Sequence, residues 1–148
     1  MIQSASRRKT NEIIFSFVRP FLSPDAVVAD IGCGQGHMTR RFSTYFSGEG
    51  KDPASHVRAC DVTGEQYEAH EVPFSAVDLN GRLPFSTLSF DVMVSVEVLE
   101  HLQNVYALFE ECFRCLKPGG ILVFSVPNIV HMASRFSFLA TGFFAMYL

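Results

Sequence analysis

The sequence has neither a long apolar run nor an excess of basic residues, and it contains few cysteines. Its first apolar stretch starts at Ile13 and is interrupted by Arg19 and Pro20, so it lacks the continuous apolar segment of a secretory signal. No apolar run reaches the ~18 residues that a membrane-spanning helix needs. We therefore expect a cytoplasmic protein without a membrane span, in which the cysteines stay reduced. These are Cys33, Cys60, Cys112 and Cys115.

The low content of basic residues argues against a nucleic-acid partner. Twelve Lys and Arg residues stand against fifteen Asp and Glu, which leaves a net charge of -3. Proteins that bind nucleic acid usually carry a basic stripe instead. The only dense basic run is Arg7 to Lys9, which is best explained as the solvated start of a helix.

Cys112 and Cys115 form a C-x-x-C pair, but the sequence offers no second pair to complete a zinc site. A redox pair belongs at the start of a helix, where the dipole lowers the pKa of a thiol. These cysteines lie near the end of a predicted helix, where the dipole has the opposite effect. We therefore expect packing thiols and no metal site.

The chain is rich in apolar residues, which make up 48% of it and include 15 phenylalanines. This composition predicts a packed domain rather than disorder. Hydrophobic periodicity and turn residues predict the order of elements along the chain. They are a helix over 6–22, a strand over 26–31, a helix over 37–46, a loop over 47–55, strands over 56–60, 74–77 and 90–96, a helix over 98–116, a turn over 117–120 and a strand over 121–126.

Strands that alternate with helices predict an α/β fold with a doubly wound, mostly parallel sheet and right-handed crossovers. In such sheets ligands bind beyond the carboxyl ends of the strands. Asp30, Asp61, Asp78 and Glu97 each stand at or next to such an end. We therefore expect several carboxylates along one rim of the sheet.

The segment from Asp30 to Gly36 has the pattern D-x-G-x-G-x-G, which differs in glycine spacing from the dinucleotide fingerprint G-x-G-x-x-G. A diphosphate at the start of the next helix would meet the Asp30 carboxylate. An adenosine compound without phosphates avoids that conflict. S-adenosylmethionine is such a compound and carries a net positive charge, so an acidic rim predicts it as the cofactor.

Several segments in order resemble the motifs of class I S-adenosylmethionine-dependent methyltransferases. They are VVADIGCGQG, ACDVT, AVDLNGRLPF with SFDVMVSVEVLEHL, and LKPGGILVFSVPN, and they cover most of 27–128. The resemblance implies a Rossmann-like sheet with strand order 3-2-1-4-5. It also implies a single methyltransferase domain over 1–148, made of an N-terminal helix (1–24), a cofactor-binding core (25–128) and an apolar tail (129–148).

The resemblance also implies roles for individual residues. Asp30 with Gly32, Gly34 and Gly36 would shape the loop and hold the methionine moiety of the cofactor. Asp61 would bind the ribose hydroxyls, Asp78 the adenine amino group, and Leu79 would offer its backbone amide and an apolar face. Glu97 and His101 would flank the methyl group as catalytic residues.

Plainer explanations stay open for several of these residues. Asp61 could be a simple loop acid, and Asp78 could merely cap the turn at Asn80. Glu97 could be an acid at a helix N-terminus, where the dipole stabilises it. His101 could be a packed or surface histidine.

The sequence departs from the family pattern in three places. Thirty residues separate Asp30 from Asp61, which is longer than usual, and residues 47–55 resemble an insertion. Only 16 residues separate Asp61 from Asp78, so the part from Gly64 to Val72 has room for two helical turns at most. The family's sheet usually adds two strands after the fifth, and this chain stops about 20 residues past Pro127. Our hypothesis is a C-terminally truncated fragment whose apolar segment 136–148 is covered by the missing part or by a partner copy.

The predicted reaction is methyl transfer to an unidentified acceptor, with a small molecule as the expected substrate. Two alternatives stay open. One is a degenerate module that binds the cofactor without turnover. The other is an NAD-dependent oxidoreductase, which Asp30 and the glycine spacing oppose.

Overall fold

The computed structural model describes residues 5–128 and 132–143. The helices are α1 (Ala5–Val18), α2 (His37–Gly48), α3 (Pro53–His56), α4 (Val105–Cys115) and α5 (Met132–Thr141). The strands are β1 (Val28–Ile31), β2 (Val57–Asp61), β3 (Phe74–Ala76), β4 (Phe90–Val96) and β5 (Leu116–Ser125). Short 3-10 turns cover Arg19–Phe21 and Leu99–His101.

The five strands form one sheet in the order β3-β2-β1-β4-β5, and all paired strands are parallel. This confirms the predicted fold class and strand order. The chain leaves β1 for β2 on one side and later returns to pair β4 on the other. The order of the strands therefore reverses beside β1, which is where parallel sheets of this kind form their ligand sites.

Helices α1 and α2 cover one face of the sheet. Phe42 and Phe46 of α2 are fully buried in a cluster with residues of β1, β2 and β4. Phe15 of α1 packs on Phe42, with 5.7 Å between the ring centroids. The two helices run in the same direction, since Arg41 contacts Glu12 and the later Tyr45 donates a hydrogen bond to the Leu22 carbonyl.

Helix α4 covers the other face. Its buried residues Leu108, Cys112 and Cys115 pack against residues of β1 and β4. Both cysteines are buried in the core and form no disulfide bond, which agrees with a packing role for the C-x-x-C pair. Burial raises the pKa of the Cys112 thiol to about 12, so it stays protonated at neutral pH.

The predicted helix over 98–116 is wrong at its start, because α4 begins only at Val105. Val98 and Leu99 are buried although they belong to a loop and a 3-10 turn. Their apolar side chains continue the helical spacing of α4, which is why the sequence pattern predicted a longer helix. The side chain of Asn104 accepts a hydrogen bond from the Ala107 amide and caps α4 at its true beginning.

The predicted loop over 47–55 is wrong at both ends, because α2 continues to Gly48 and the short helix α3 begins at Pro53. Asp52 caps α3 by accepting a hydrogen bond from the Ala54 amide, and Pro53 occupies the first helical position. The segment Gly64–Pro73 forms no helix and instead buries Tyr67, Ala69 and Val72.

The predicted turn over 117–120 proves to be an irregularity inside β5. Phe90 of β4 pairs with Leu116, whereas Val92 pairs with Ile121, so β5 carries extra residues between the two pairs. Lys117 contacts the Asp91 carboxylate at 2.7 Å, and the same oxygen accepts a hydrogen bond from the Val27 amide. These contacts attach the irregular part of β5 to the start of β1.

Part of the predicted apolar tail lies in α5, where Phe136 and Leu139 are exposed, and Phe143 follows it. Residues 129–131 and 144–148 lie outside the described part of the chain. Within the described part, no helix combines the length and the apolar character needed to cross a membrane.

We expect Phe42→Ala to lower the free energy of unfolding by about 3–5 kcal/mol, because it empties a fully buried site between α2 and the sheet. Urea denaturation monitored by circular dichroism measures this change. Phe113→Ala is the matched control, since Phe113 is exposed on α4 and its loss should change stability by no more than about 0.5 kcal/mol. Equal effects of the two substitutions would contradict the assigned core.

Candidate functional site

The loop between β1 and α2 spans Gly32–Gly36 and lies at the rim where the parallel strands end. The amides of Gly32 and Cys33 both donate hydrogen bonds to the Cys60 carbonyl, at 2.8 and 3.1 Å. Gly36 adopts a left-handed conformation and starts α2. The loop is therefore attached to β2 at its beginning and to α2 at its end.

The three glycines of this loop have different surroundings. A Cβ on Gly32 would lie 2.3 Å from a Val98 methyl group, and a Cβ on Gly36 would lie 3.0 Å from Tyr67 and Ala69. A Cβ on Gly34 would meet no heavy atom of the described residues within 4 Å. Packing thus excludes side chains at the first and third glycines. The backbone of Gly34 is instead open to a ligand.

The Asp61 carboxylate stands at the end of β2, directly beside Gly34. Its Oδ2 accepts a hydrogen bond from the Gly34 amide at 2.7 Å, and its Oδ1 accepts one from the Val62 amide at 2.6 Å. A carboxylate has about four acceptor positions, so each oxygen can accept one further donor. The two oxygens are oriented by the backbone and match a pair of neighbouring hydroxyl groups.

Asp30 lies beneath the glycine loop and is almost fully buried. Its carboxylate accepts a hydrogen bond from the Thr39 hydroxyl in the first turn of α2. Burial raises the pKa of Asp30 to about 6, an effect that the hydrogen bonds from Thr39 partly offset and the Asp61 charge reinforces. Asp30 therefore stabilises the loop from the protein interior, because its side chain joins the end of β1 to the start of α2.

Asp78 lies in the turn that follows β3. Its exposed carboxylate accepts hydrogen bonds from the backbone and side-chain amides of Asn80, at 2.9 and 3.0 Å, and these bonds lower its pKa. The Val77 amide donates to the Asp61 carbonyl, so the turn begins next to Asp61. The side chain of Leu79 is buried in the core, which leaves its backbone as the group it can offer to a ligand.

Glu97 is the first residue after β4 and has a left-handed backbone, with φ of 55°. Such a conformation costs of order 1–3 kcal/mol for a residue with a side chain and is often found at functional sites. Its amide donates a hydrogen bond to the Ser125 carbonyl of β5, which holds the strained residue in place. His101 is exposed in the 3-10 turn that follows, with Nε2 3.8 Å from a Glu100 carboxylate oxygen.

The structure adds two polar residues that the sequence reasoning missed. Thr39 supports Asp30, as described above. The Asn80 side chain accepts hydrogen bonds from the amides of Gln103 and Asn104, at 2.8 and 3.1 Å, and so joins the turn after β3 to the start of α4. The turn signal at Asn80 was visible in the sequence, but its partners lie far along the chain.

The negative charge and the hydrogen-bond acceptors of this rim fit a cationic adenosine compound. Asp30 and Asp61 place two carboxylates at or under the open glycine, which disfavours a diphosphate and favours positive charge. The exposed backbone of Gly34 allows close approach of the ligand. Among the described residues, no group of three or more His, Cys, Asp or Glu side chains is arranged to hold a metal ion.

A second depression lies elsewhere and contains none of these acids. It is lined by residues 82–87 and Arg114. Arg114 is already bonded there to Glu111 and to the carbonyls of Leu83 and Phe85. Its guanidinium therefore serves to hold this loop against α4.

The family model described as a methyltransferase domain matches residues 5–145. A 2-methyl-6-phytyl-1,4-hydroquinone methyltransferase of Synechocystis is 35% identical over 69% of this chain and 32% of its own length. A ubiquinone biosynthesis O-methyltransferase of Bradyrhizobium is 32% identical over 67% of this chain and 39% of its own length.

The fold is also similar to solved structures. An S-adenosylmethionine-dependent methyltransferase from Mesorhizobium loti superimposes with a TM-score of 0.61 at 21% identity, covering 87% of this chain and 71% of the other. That likeness concerns the fold alone. The chain spans only about a third of the length of the two curated relatives above.

We expect the stability of the protein to depend on the ionisation of Asp30. Because folding raises the pKa of this buried acid from 3.8 to about 6, the protonated form stabilises the fold below pH 3.8, and this stabilisation is lost as the pH rises through 6. The loss amounts to up to about 3 kcal/mol. Urea denaturation of the wild type and of Asp30→Asn between pH 4 and 7 isolates this contribution. Parallel stability curves for the two proteins would contradict it.

Proposed function

The chain belongs to the class I S-adenosylmethionine-dependent methyltransferases, and on that premise we propose that it binds this cofactor at the glycine loop and directs its methyl group to a small-molecule acceptor. The observation that carries the proposal is the Asp61 carboxylate, which two backbone amides orient beside the open Gly34. This arrangement offers two acceptor oxygens to a ribose diol and an accessible backbone to the rest of the ligand.

The other rim residues complete the proposed cofactor site. Gly32, Gly34 and Gly36 shape the loop, and Asp30 fixes it from below while adding negative charge that favours a cation. Asp78, whose turn begins next to Asp61, accepts a hydrogen bond from the adenine amino group. Leu79 contributes its backbone amide to the same end of the ligand.

When bound, S-adenosylmethionine supplies a methyl group on a positively charged sulfur, which an acceptor nucleophile displaces. The chain's own contribution is to position the two partners and to handle the proton of the acceptor. Glu97 and His101 follow β4, the strand next to β1, and are our candidates for accepting that proton. The strained backbone of Glu97 supports a functional role for this residue.

The names of two relatives support a hydroxyl-bearing aromatic acceptor. One is named as a hydroquinone methyltransferase and the other as an O-methyltransferase of ubiquinone biosynthesis. A hydroxyl group on a ring is a weak nucleophile until it loses its proton, which agrees with a base beside the methyl group. We therefore propose a hydroquinone-type hydroxyl as the acceptor.

Two further parts of the proposal concern location and assembly. Free cysteines agree with a cytoplasmic location. The apolar segment 136–148 would support self-association or contact with a partner, because Phe136, Leu139 and Phe143 are exposed. A module that binds the cofactor without turnover is the alternative that activity measurements distinguish.

The first test is a thermal-shift titration with S-adenosylhomocysteine and with NAD. We expect only the former to stabilise the protein, by about 2.7 kcal/mol at 100 times its Kd. Asp61→Ala should weaken that binding by about 1–3 kcal/mol, because it removes the oxygens offered to the ribose. Asp25→Ala, an exposed acid paired with Lys51, is the control. Stabilisation by NAD alone, or unchanged affinity in Asp61→Ala, would refute these assignments.

The second test concerns the catalytic residues. With 2-methylhydroquinone as the acceptor probe, Glu97→Gln or His101→Gln should lower kcat about a hundredfold while the Kd for S-adenosylhomocysteine stays the same. Release of S-adenosylhomocysteine measures turnover. Glu110→Gln on the exposed side of α4 is the control. Full activity in both site variants would show that Glu97 and His101 take no part in the reaction. Cofactor binding without turnover in the wild type would instead support the alternative of a module that only binds the cofactor.

A further inference from the structure

Helix α1 and the 3-10 turn after it expose a row of apolar side chains. Ile13, Phe17 and Phe21 are 45%, 63% and 57% exposed, and they follow one another at intervals of four residues. Such spacing places them along one side of the helix. Ile14 and Val18, which directly follow Ile13 and Phe17 in the chain, are instead buried in the core. Burial in the core therefore does not account for the exposed row.

Basic residues accompany this row. Lys9 stands one turn before Ile13 and is exposed, as is Arg19 between the two phenylalanines. The sequence adds Arg7 and Arg8 to the first turns of α1. We use the term α1 face for the exposed row Ile13, Phe17 and Phe21 together with the exposed cations Lys9 of α1 and Arg19 of the 3-10 turn.

Acidic neighbours of the α1 face already have basic partners. Glu12 is the only acid between residues 5 and 22, and its carboxylate lies 3.3 Å from Arg41 of α2. Asp25, in the loop that follows, lies 2.7 Å from Lys51. The positive charge of the α1 face is therefore not cancelled by the nearest acids, although the whole chain carries a net charge of -3.

Helix α4 provides an internal comparison, because it also exposes aromatic side chains. Tyr106 and Phe113 are 82% and 83% exposed, but Glu110 stands between them on the same helix. Exposed aromatic residues thus occur on both faces of the sheet, but those of α4 stand beside an acid, whereas those of α1 stand beside Lys9 and Arg19. Helix α5 also exposes aromatic residues beside an exposed cation, Arg135, and is therefore tested separately below. Apolar side chains beside cations are the features by which a helix lies in the interface of an anionic membrane.

We propose that the α1 face binds an anionic lipid surface. The aromatic row would enter the interfacial region while Lys9 and Arg19 contact lipid phosphates. Because α1 and α2 run in the same direction, the basic start of α1 points toward the rim that carries the glycine loop. Docking in this way would bring that rim near the membrane, where an apolar acceptor would be dissolved. This proposal does not depend on the cofactor or on turnover.

The test is co-sedimentation of the full 148-residue chain with vesicles, without added cofactor. We expect binding to phosphatidylcholine vesicles that contain phosphatidylglycerol, and much weaker binding to phosphatidylcholine alone. The difference should shrink in ~1 M salt, where the screening length falls to about 3 Å. Equal binding to both vesicle types, or no binding to either, would overturn the proposal.

Variants test which surface is responsible. Phe17→Ser with Phe21→Ser should lower the vesicle affinity about tenfold or more, and Lys9→Gln with Arg19→Gln about fivefold for each cation. The pair Tyr106→Ser and Phe113→Ser is the matched control and should leave binding unchanged. Because all these side chains are exposed, melting curves should show that each variant folds.

Three results would assign the surface differently and overturn the proposal. A loss of vesicle binding in the α4 pair equal to that of the α1 pair would indicate unspecific apolar binding. A loss in Leu139→Ser alone would assign binding to α5. A dimer in size-exclusion chromatography that the Phe17→Ser and Phe21→Ser pair dissociates, without vesicle binding by the wild type, would assign the α1 face to a second copy of the chain.

Discussion

The hydrogen bond from the Gly34 amide to the Asp61 carboxylate joins the glycine loop to the end of β2, and the shape of the rim depends on it. Without a partner from β2, a loop with three left-handed glycines would have many conformations of similar energy. The Cys60 carbonyl holds the start of the loop, and Asp61 holds its middle. The residue that we assign to the ligand thus also supports the loop against which the ligand would lie.

The negative charge of Asp30 beneath the glycine loop destabilises the folded protein. Asp30 is buried, and its pKa of about 6 shows that the interior disfavours its ionised form. The hydrogen bond from Thr39 reduces this cost and joins the first turn of α2 to β1. A cationic ligand above the loop would favour the same ionised form. The same charge that the protein interior disfavours would therefore contribute to the binding of a cation.

The sequence predicted best those elements whose pattern is local. The bounds of β4 agree with the prediction, because this strand is almost continuously apolar. The strand order, which is not a local property, also agrees, but it was implied by the resemblance to a known family. The start of α4 was wrong because Val98 and Leu99 are buried as a loop with helical spacing. The course of β5 was wrong because Pro118 and Gly119 lie in a bulge that only pairing with β4 reveals. For the site, the strand-end position of Asp61 was readable from sequence, whereas the partners of Asp30 and Asn80 come from elsewhere in the fold.

Gly32 and Val98 are far apart in sequence but in direct contact in the fold. The valine side chain occupies the space that a side chain at position 32 would need, since a Cβ on Gly32 would lie 2.3 Å from a Val98 methyl group. Trimming position 98 would create space, yet the φ of 71° at position 32 would still oppose a side chain there. Enlarging position 98 would press directly on the backbone of the loop. Only smaller residues at position 98 are therefore tolerated, and a bulkier residue there would distort the glycine loop although Val98 is not one of the proposed cofactor-binding residues.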